Sequence, residues 1–283
     1  MSNMFELLHY SFAQHALIAA TLIALTCGLV APFVVMRDMA FAVHGTAELS
    51  FTSAVAGLLI AGDAVRGALI GSLVIAAAFA LLGRRQREGN TAIGVVLAFG
   101  LGLGVFLLSF YNGFASAATN ILFGSLVTAS TGDVLVLGAL ALVVLIVMVV
   151  IFRPLLFASV DSAVASARGV PVNALSLVFL VLLALTVTEA AQVVGTLLVL
   201  SLAITPAASA RRWTADPLKF VAVSVAFALI AADGGFLLSL ALSDTDIKAS
   251  VLIAFVSFAL YLVSVVAERV RPEPRRQVSG AAA

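Results

Sequence analysis

Charged side chains are scarce in this sequence, which excludes an ordinary soluble fold. Of its 283 residues, 10% are charged and 63% are hydrophobic, whereas soluble domains carry about a quarter charged residues. A water-soluble chain cannot bury that much apolar surface. Inside a bilayer, the backbone polar groups must be satisfied within the structure, so only helices or a closed barrel remain as spanning elements.

The alternating hydrophobicity of short barrel strands is absent as well. The apolar stretches are continuous and close to the roughly 20 residues that a spanning helix needs. We therefore predict an all-α polytopic membrane protein with eight to nine transmembrane helices, because the sixth and seventh candidates are separated only by residues 189–192. The nine candidate spans are 16–36, 45–62, 67–83, 91–111, 133–152, 174–191, 193–210, 219–240 and 248–267.

Residues for enzyme chemistry are also few. The single cysteine, Cys27, excludes an internal disulfide or a cysteine metal cluster. Neither Lys219 nor Lys248 ends a glycine-rich phosphate loop, and no GxSxG elbow accompanies the three histidines. The sequence predicts no enzyme, and we expect that this chain does not hydrolyse ATP by itself.

The basic residues are distributed unevenly between the loops. If the N-terminus lies outside, thirteen of the fifteen Lys and Arg residues fall on the inner side, and only Arg66 and Lys248 fall outside. This predicts nine crossings with the C-terminus inside. We assign residues 1–267 to a single transmembrane domain. Residues 268–283, which are charged and contain proline, are expected to form a disordered cytoplasmic tail.

The longest inner connection predicts a short helix at about 159–169. Ser159 or Asp161 can cap its N-terminus, Gly169 can end it, and Pro171 prevents its continuation. A short, self-contained helix at the membrane surface is suited to docking in a groove on another protein. The alternative is a simple interfacial connector.

Four sequence blocks carry a family resemblance. They are NTAIGVVLAFGLGLG (90–104), ILFGS (121–125), ASVDSAVASARGVPV (158–172) and VVGTLLVLSLAITPAASARRW (193–213). In this order they resemble the permeases of bacterial zinc and manganese ABC importers. The resemblance implies a type II importer permease in the bacterial cytoplasmic membrane, which pairs as a homodimer and binds two cytoplasmic ATP-binding subunits. It also implies an extracytoplasmic metal-binding protein that delivers the substrate.

The resemblance further implies that the short helix is the coupling helix, which seats in the ATPase subunit. The residues implied in coupling are Ser159, Asp161, Ala163, Ala167, Arg168 and Gly169. No cofactor is expected on this chain, because Zn²⁺ or Mn²⁺ is cargo and ATP is used by the partner. No nucleic-acid partner is expected either.

His44 and Glu48 are four residues apart in an apolar stretch, so on a helix they share one face. Ionisable groups inside a bilayer are costly and usually face the bundle interior or a water path. Imidazole and carboxylate suit zinc or another first-row divalent ion. The family typically has Asp, three other residues and then His, whereas this chain has the two ligand types in reverse order. The alternative is that the pair only fixes helix packing.

Other polar or helix-breaking residues interrupt the apolar segments. Glu189 and Asp233 are additional metal-ligand candidates, with a solvated helix end and a helix bend, respectively, as the alternatives. Pro206, Gly234 and Gly235 are candidates for gating or helix breaks, with static packing as the alternative.

The sequence as a whole predicts the permease subunit of an ATP-driven importer for a divalent metal, zinc before manganese. One alternative is a related permease for a metal chelate or vitamin, in which substitution of His44 or Glu48 would matter little. The other is a secondary metal transporter that works without ATPase subunits.

Overall fold

The computed structural model describes residues 9–82, 89–111, 124, 130–196, 198–242 and 247–270. Within these ranges the helices are joined by turns and irregular segments. The helices are α1 Ser11–Met36, α2 Ala40–Ala61, α3 Ala64–Leu82, α4 Gly89–Leu108, α5 Thr131–Val160, α6 Ser162–Ala167, α7 Val172–Val194, α8 Val199–Ala203, α9 Thr205–Ala210, α10 Pro217–Ala241 and α11 Ala249–Val270.

The predicted all-α polytopic fold is confirmed. Six of the described helices are long and apolar enough to cross a membrane, namely α1, α2, α5, α7, α10 and α11. Helices α3 and α4 add 19 and 20 residues of apolar sequence. Eight long helices therefore correspond to eight of the nine candidate spans.

The seventh candidate span is not one helix. Gly195 ends α7 with a φ of 96°, and the chain then forms two short helices of five and six residues, α8 and α9. Ile204 lies between these two helices and has a non-helical φ of −127°. The seventh candidate span is thus an interrupted helix, in line with the lower count of eight full spans.

Helix α1 lies near the centre of the bundle, packed against α5, α7 and α10. Its buried face is built largely from alanines, including Ala13, Ala16, Ala20 and Ala24. Small side chains let neighbouring helices approach closely, which is how membrane helices gain packing contacts without a hydrophobic driving force. Helix α2 packs on the other side against α3 and α4 and also touches α7.

One end of the bundle gathers basic residues. Arg37, just after α1, donates to side chains at the end of α5 and the start of α7. Near that end, Ala31 of α1 packs with Ala207 of α9 and Phe220 of α10, and Arg212 pairs with Glu268 of α11. We call this the basic end, and its described arginines include Arg37, Arg168, Arg211, Arg212 and Arg269.

The basic end gathers residues that the sequence assigned to the inner side. Of the arginines so assigned, Arg84, Arg85, Arg87, Arg271, Arg275 and Arg276 lie outside the described residues. The inside location of the C-terminus stays a prediction.

Two boundary predictions need correction. Helix α11 continues to Val270, so the predicted tail boundary at residue 268 falls within a helix, and residues 271–283 lie outside the described ranges. The predicted break at Gly234 and Gly235 is wrong, because α10 runs without interruption through both. A Cβ at Gly235 would lie 2.5 Å from the Ile253 Cα of α11, so this glycine permits close helix packing.

Candidate functional site

His44 and Glu48 contact each other on α2. The His44 Nε2 atom lies 3.1 Å from Glu48 Oε1, and the two side chains are 42% and 19% exposed. The second ring nitrogen, Nδ1, is buried and has no hydrogen-bond partner among the described residues. The pair is therefore partly exposed on the surface of the chain, while the Nδ1 side of the imidazole is enclosed by the bundle.

The spacing of the pair fits chelation of one small cation. Zinc binds His nitrogen and carboxylate oxygen at about 2.1 Å, and two such ligands on a tetrahedral ion lie about 3.4 Å apart. The observed 3.1 Å separation needs only a small outward shift of either side chain. No third His, Cys, Asp or Glu joins the pair within the described ranges, so the described residues supply two such ligands there.

The predicted short helix is present as α6, at Ser162–Ala167, and is shorter than the predicted 159–169. Asp161 is its N-cap, and the Asp161 Oδ1 atom accepts a hydrogen bond from the Val164 N–H at 2.9 Å. At the other end, Gly169 has a φ of +82°, a conformation that favours glycine. The Val170 N–H then bonds to the Ala165 carbonyl at 3.0 Å, which satisfies a terminal carbonyl of the helix.

Most of α6 faces solvent. Of its residues only Ala165 is buried, and it anchors the helix on the bundle. Ala163, Ala167 and Arg168 are exposed, and the neighbouring Val160 and Val164 expose 70% and 45% of their surface. The helix therefore presents a mixed apolar and basic surface beyond the end of α5.

Ser159 does not cap α6, contrary to one of the two sequence alternatives. It lies in the last turn of α5, where its hydroxyl donates to the Leu155 carbonyl at 2.6 Å. The same hydroxyl accepts a hydrogen bond from Arg37 Nε at 2.8 Å. Ser159 thus connects the base of α6 to the end of α1.

Arg37 is a residue that sequence reasoning used only to count charge. Its Nη1 also donates to the Ser176 hydroxyl of α7 at 3.3 Å, and its guanidinium lies 5.4 Å from the Phe179 ring centroid. Burial lowers the pKa of Arg37 from its ordinary value. The half-buried guanidinium of Arg37 therefore joins α5 and α7, the two helices that flank α6. In the sequence, the only indication of this role is the position of Arg37 between α1 and α2.

Pro206 lies in the first turn of α9, where proline is tolerated because its missing N–H has no helical partner. The break precedes it, at Ile204, and the two short helices pack against α10 and α11 as well as α1. A role of Pro206 in gating stays a prediction.

The two additional acidic candidates have different surroundings. Asp233 of α10 accepts a hydrogen bond from the Thr21 hydroxyl of α1 at 3.0 Å, so it links two helices. Glu189 of α7 is 1% exposed, which makes the alternative of a solvated helix end wrong. Neither forms a cluster of three potential ligands within the part of the chain that the structure describes.

Comparison with known protein families shows which family the chain belongs to. The model of the ABC 3 transport family matches residues 9–268. The chain belongs to this family. It is the membrane permease of an ABC transporter, a multi-pass protein without the catalytic role of an enzyme, and it works in a complex with an ATPase and a binding protein.

Relatives of this permease are named for two different metals. The manganese transport system membrane protein MntC of Halalkalibacterium halodurans is 30% identical over 256 residues, covering 90% of this chain and 88% of that protein. The high-affinity zinc uptake system membrane protein ZnuB of Haemophilus influenzae is 27% identical over 239 residues, covering 84% and 91%.

Solved structures confirm the type II importer permease fold. PsaBC from Streptococcus pneumoniae, solved in complex with Fab, matches with a TM-score of 0.83 and 25% identity over 93% of this permease and 94% of that chain. An inward-facing ABC transporter described as metal-chelate type matches with a TM-score of 0.67 over 88% and 86% of the two chains, and at 17% identity it shows a likeness of fold alone.

Proposed function

We propose that this permease imports a divalent metal ion, Zn²⁺ or Mn²⁺, across the cytoplasmic membrane. The observation that carries the proposal is the His44–Glu48 pair, an imidazole nitrogen and a carboxylate oxygen 3.1 Å apart in an apolar helix. The relatives named for manganese and zinc transport support the same substrate class.

The pair would hold the ion weakly, because it offers only two protein ligands. Water or the same pair of a second copy would complete the coordination shell. Incomplete coordination suits transport, since an ion that is bound too tightly does not leave. In this proposal the glutamate supplies charge compensation in the membrane and the histidine supplies a neutral nitrogen ligand.

Energy would enter at the basic end through α6. The permease would act as a homodimer with two cytoplasmic ATP-binding subunits, and the exposed surface of α6 would seat in one of them. Arg37 would pass movement of α6 to the start of α2, because it bonds to Ser159 beside α6 and lies between α1 and α2 in the chain. The cargo itself would be delivered by an extracytoplasmic metal-binding protein.

The test is uptake of Zn²⁺ and Mn²⁺ into vesicles that contain the permease with its ATPase and binding protein. We expect His44→Ala and Glu48→Gln each to reduce uptake by at least about tenfold, since each removes one of two ligands. The matched control is Ser53→Ala on the same helix, because the Ser53 hydroxyl donates to the Leu49 carbonyl of its own helix at 2.9 Å. That control should keep uptake within about twofold.

Three outcomes would contradict parts of the proposal. Unchanged uptake in both ligand variants would remove the site. Uptake of a metal chelate without uptake of free ions would change the substrate class. Full uptake in vesicles that lack the ATPase would remove the coupling role of α6.

A further inference from the structure

Two consecutive residues after α9 hold the end of the interrupted helix against α11. The Arg212 Nη2 donates to the Tyr261 hydroxyl at 3.0 Å, and the Arg212 Nη1 pairs with the Glu268 carboxylate. The Trp213 Nε1 donates to the Ser264 hydroxyl at 2.9 Å. The three partners on α11 are spaced by three and four residues, so they share one face of that helix. We call these five residues the α9–α11 contact.

The ion pair in this contact is supported by other interactions. The side chains of Arg212 and Glu268 are 29% and 50% exposed, and an ion pair open to solvent contributes little by itself. The same guanidinium, however, also lies 5.1 Å from the Tyr261 ring centroid and bonds to the hydroxyl of that ring. Several contacts must therefore break together before α9 can leave α11.

Trp213 also connects the contact to α10. Its ring packs edge-on against Phe227 of α10, with the ring centroids 6.0 Å apart and the planes at 82°. Its hydrogen-bond partner Ser264 is buried, and the Ser264 hydroxyl donates to the Leu260 carbonyl of its own helix at 2.8 Å. The indole is thus held between α10 and a hydroxyl whose position is fixed by α11.

Helices α9, α10 and α11 pack together as one unit. Ala207 and Ala210 of α9 are buried with Phe220 of α10. Farther along, Gly235 of α10 packs closely against Ile253 of α11. Small residues at both contacts let the helices approach closely, which favours a rigid arrangement.

Helix α8, in the other half of the interrupted segment, has different neighbours. It contacts α2 and α7, whereas α9 packs mainly against α10 and α11. The chain leaves regular helical geometry on either side of α8, at Gly195 with a φ of 96° and at Ile204 with a φ of −127°. Residues at the ends of elements are where proteins absorb changes of backbone angle. Ile204 therefore separates a fastened half from a half that reaches the helix of the His44–Glu48 pair.

We propose that Arg212 and Trp213 are positioning residues for transport, which hold α9 on α11 in every state of the cycle. Movement in the interrupted helix is then confined to the part before Ile204, where α8 contacts α2. The proposal rests on the proposed metal import, because it assigns which part of the chain moves during that import.

The first test measures metal taken up per ATP hydrolysed by the complete transporter in vesicles. We expect this ratio to fall by at least about fivefold in Arg212→Ala, because a released α9 moves without transmitting force to α8. The matched control is Arg211→Ala, which removes the exposed neighbouring arginine and should stay within about twofold of wild type. An unchanged ratio in Arg212→Ala would overturn the proposal, since a residue that only aids folding lowers the yield of transporter and not its coupling.

A cross-link decides the question if Arg212→Ala does not assemble. The purified double variant Arg212→Cys, Glu268→Cys is joined by a short bifunctional thiol reagent, and the single native cysteine, Cys27, is buried. The link replaces the lost ion pair, so it should return uptake per ATP to within about twofold of wild type. If cross-linking instead abolishes uptake, α9 has to leave α11 during transport and the proposal is wrong.

The rate of cross-linking gives a result that does not depend on the cargo. A contact that stays closed should let the reagent join the two introduced thiols at rates that agree within about twofold with and without ATP. A larger change with ATP would contradict the proposal. If the wild-type transporter takes up neither Zn²⁺ nor Mn²⁺, the proposed function fails, while the cross-linking rate still decides whether the α9–α11 contact stays closed.

Discussion

The His44–Glu48 pair and the short helix α6 are held in place in different ways. The pair lies within α2, a continuous helix of 22 residues that is packed by α3 and α4. Helix α6 has six residues and one buried side chain. Its position depends on contacts at its two ends and on Arg37 behind it.

Helix α2 is therefore a rigid platform for the two ligands, whereas α6 is a contact surface that is supported only locally. A side chain on α2 can change without moving its helix, because many packing contacts fix the helix axis. A change at an end of α6 removes a large part of what positions it. Three substitutions test this contrast, and we give them from the largest expected effect to the smallest.

Arg37→Ala should have the largest effect. It removes hydrogen bonds to Ser159 and Ser176, and hydrogen bonds to charged groups contribute roughly 1.5–3 kcal/mol each. We expect ATP-driven uptake to fall by at least about tenfold while metal binding stays within about twofold, because the α2 ligands are untouched. Parallel measurements of uptake and bound metal check this.

Arg37→Lys is the graded control for that experiment. Lysine keeps the charge but lacks the planar fork that reaches two hydroxyls, so uptake should lie between those of wild type and Arg37→Ala. Equal losses of metal binding and uptake in the alanine variant would show that α2 depends on Arg37 as much as α6 does, and the contrast would fail.

Asp161→Ala should have an intermediate effect. Loss of an N-cap costs about 1 kcal/mol, and the bond at risk is the one from the Val164 N–H to the Asp161 carboxylate. We expect the affinity for the ATPase subunit to fall by about fivefold, measured by titration of the detergent-solubilised permease. Asp161→Asn, which can still cap, should bind nearly as well as wild type; equal weakening in both variants would point to charge and not to capping.

Thr46→Val should have the smallest effect. Thr46 is buried on α2, two residues from each ligand and on the opposite face of the helix, and its hydroxyl bonds to the Ala42 carbonyl of the same helix. Valine has a similar shape, so the backbone ladder keeps the helix intact and uptake should stay within about twofold. A loss as large as that of Asp161→Ala would mean that the α2 platform is less rigid than its packing indicates.

Local rules in the sequence were sufficient for the long helices and for α6. Continuous apolar length predicted nine candidate spans, and eight of them are long helices. The Asp161 cap and the Gly169 terminator follow from chemistry within a few residues. The same kind of reasoning placed His44 and Glu48 on one face. These features depend on residues that are close together in the sequence, so the sequence alone is sufficient to predict them.

Features that depend on distant residues were not predictable in this way. The contacts of Arg37 involve residues of α5 and α7, and the enclosure of Glu189 is a property of the bundle. The consecutive glycines at 234 and 235 favour a break by local propensity, but α10 is continuous through both, with Gly235 packed closely against Ile253. Tertiary packing overrides propensity in such cases.

The length of α5 has a consequence for the geometry of the whole transporter. Its 30 residues extend about 45 Å, whereas the hydrocarbon layer is about 30 Å thick. If α5 stands near the membrane normal, its extra length places α6 outside the lipid. The distance of α6 from the membrane is then set by the length of α5 and not by the local lipid. A modest change of bilayer thickness would therefore leave the distance between the docked ATPase and the ion path unchanged.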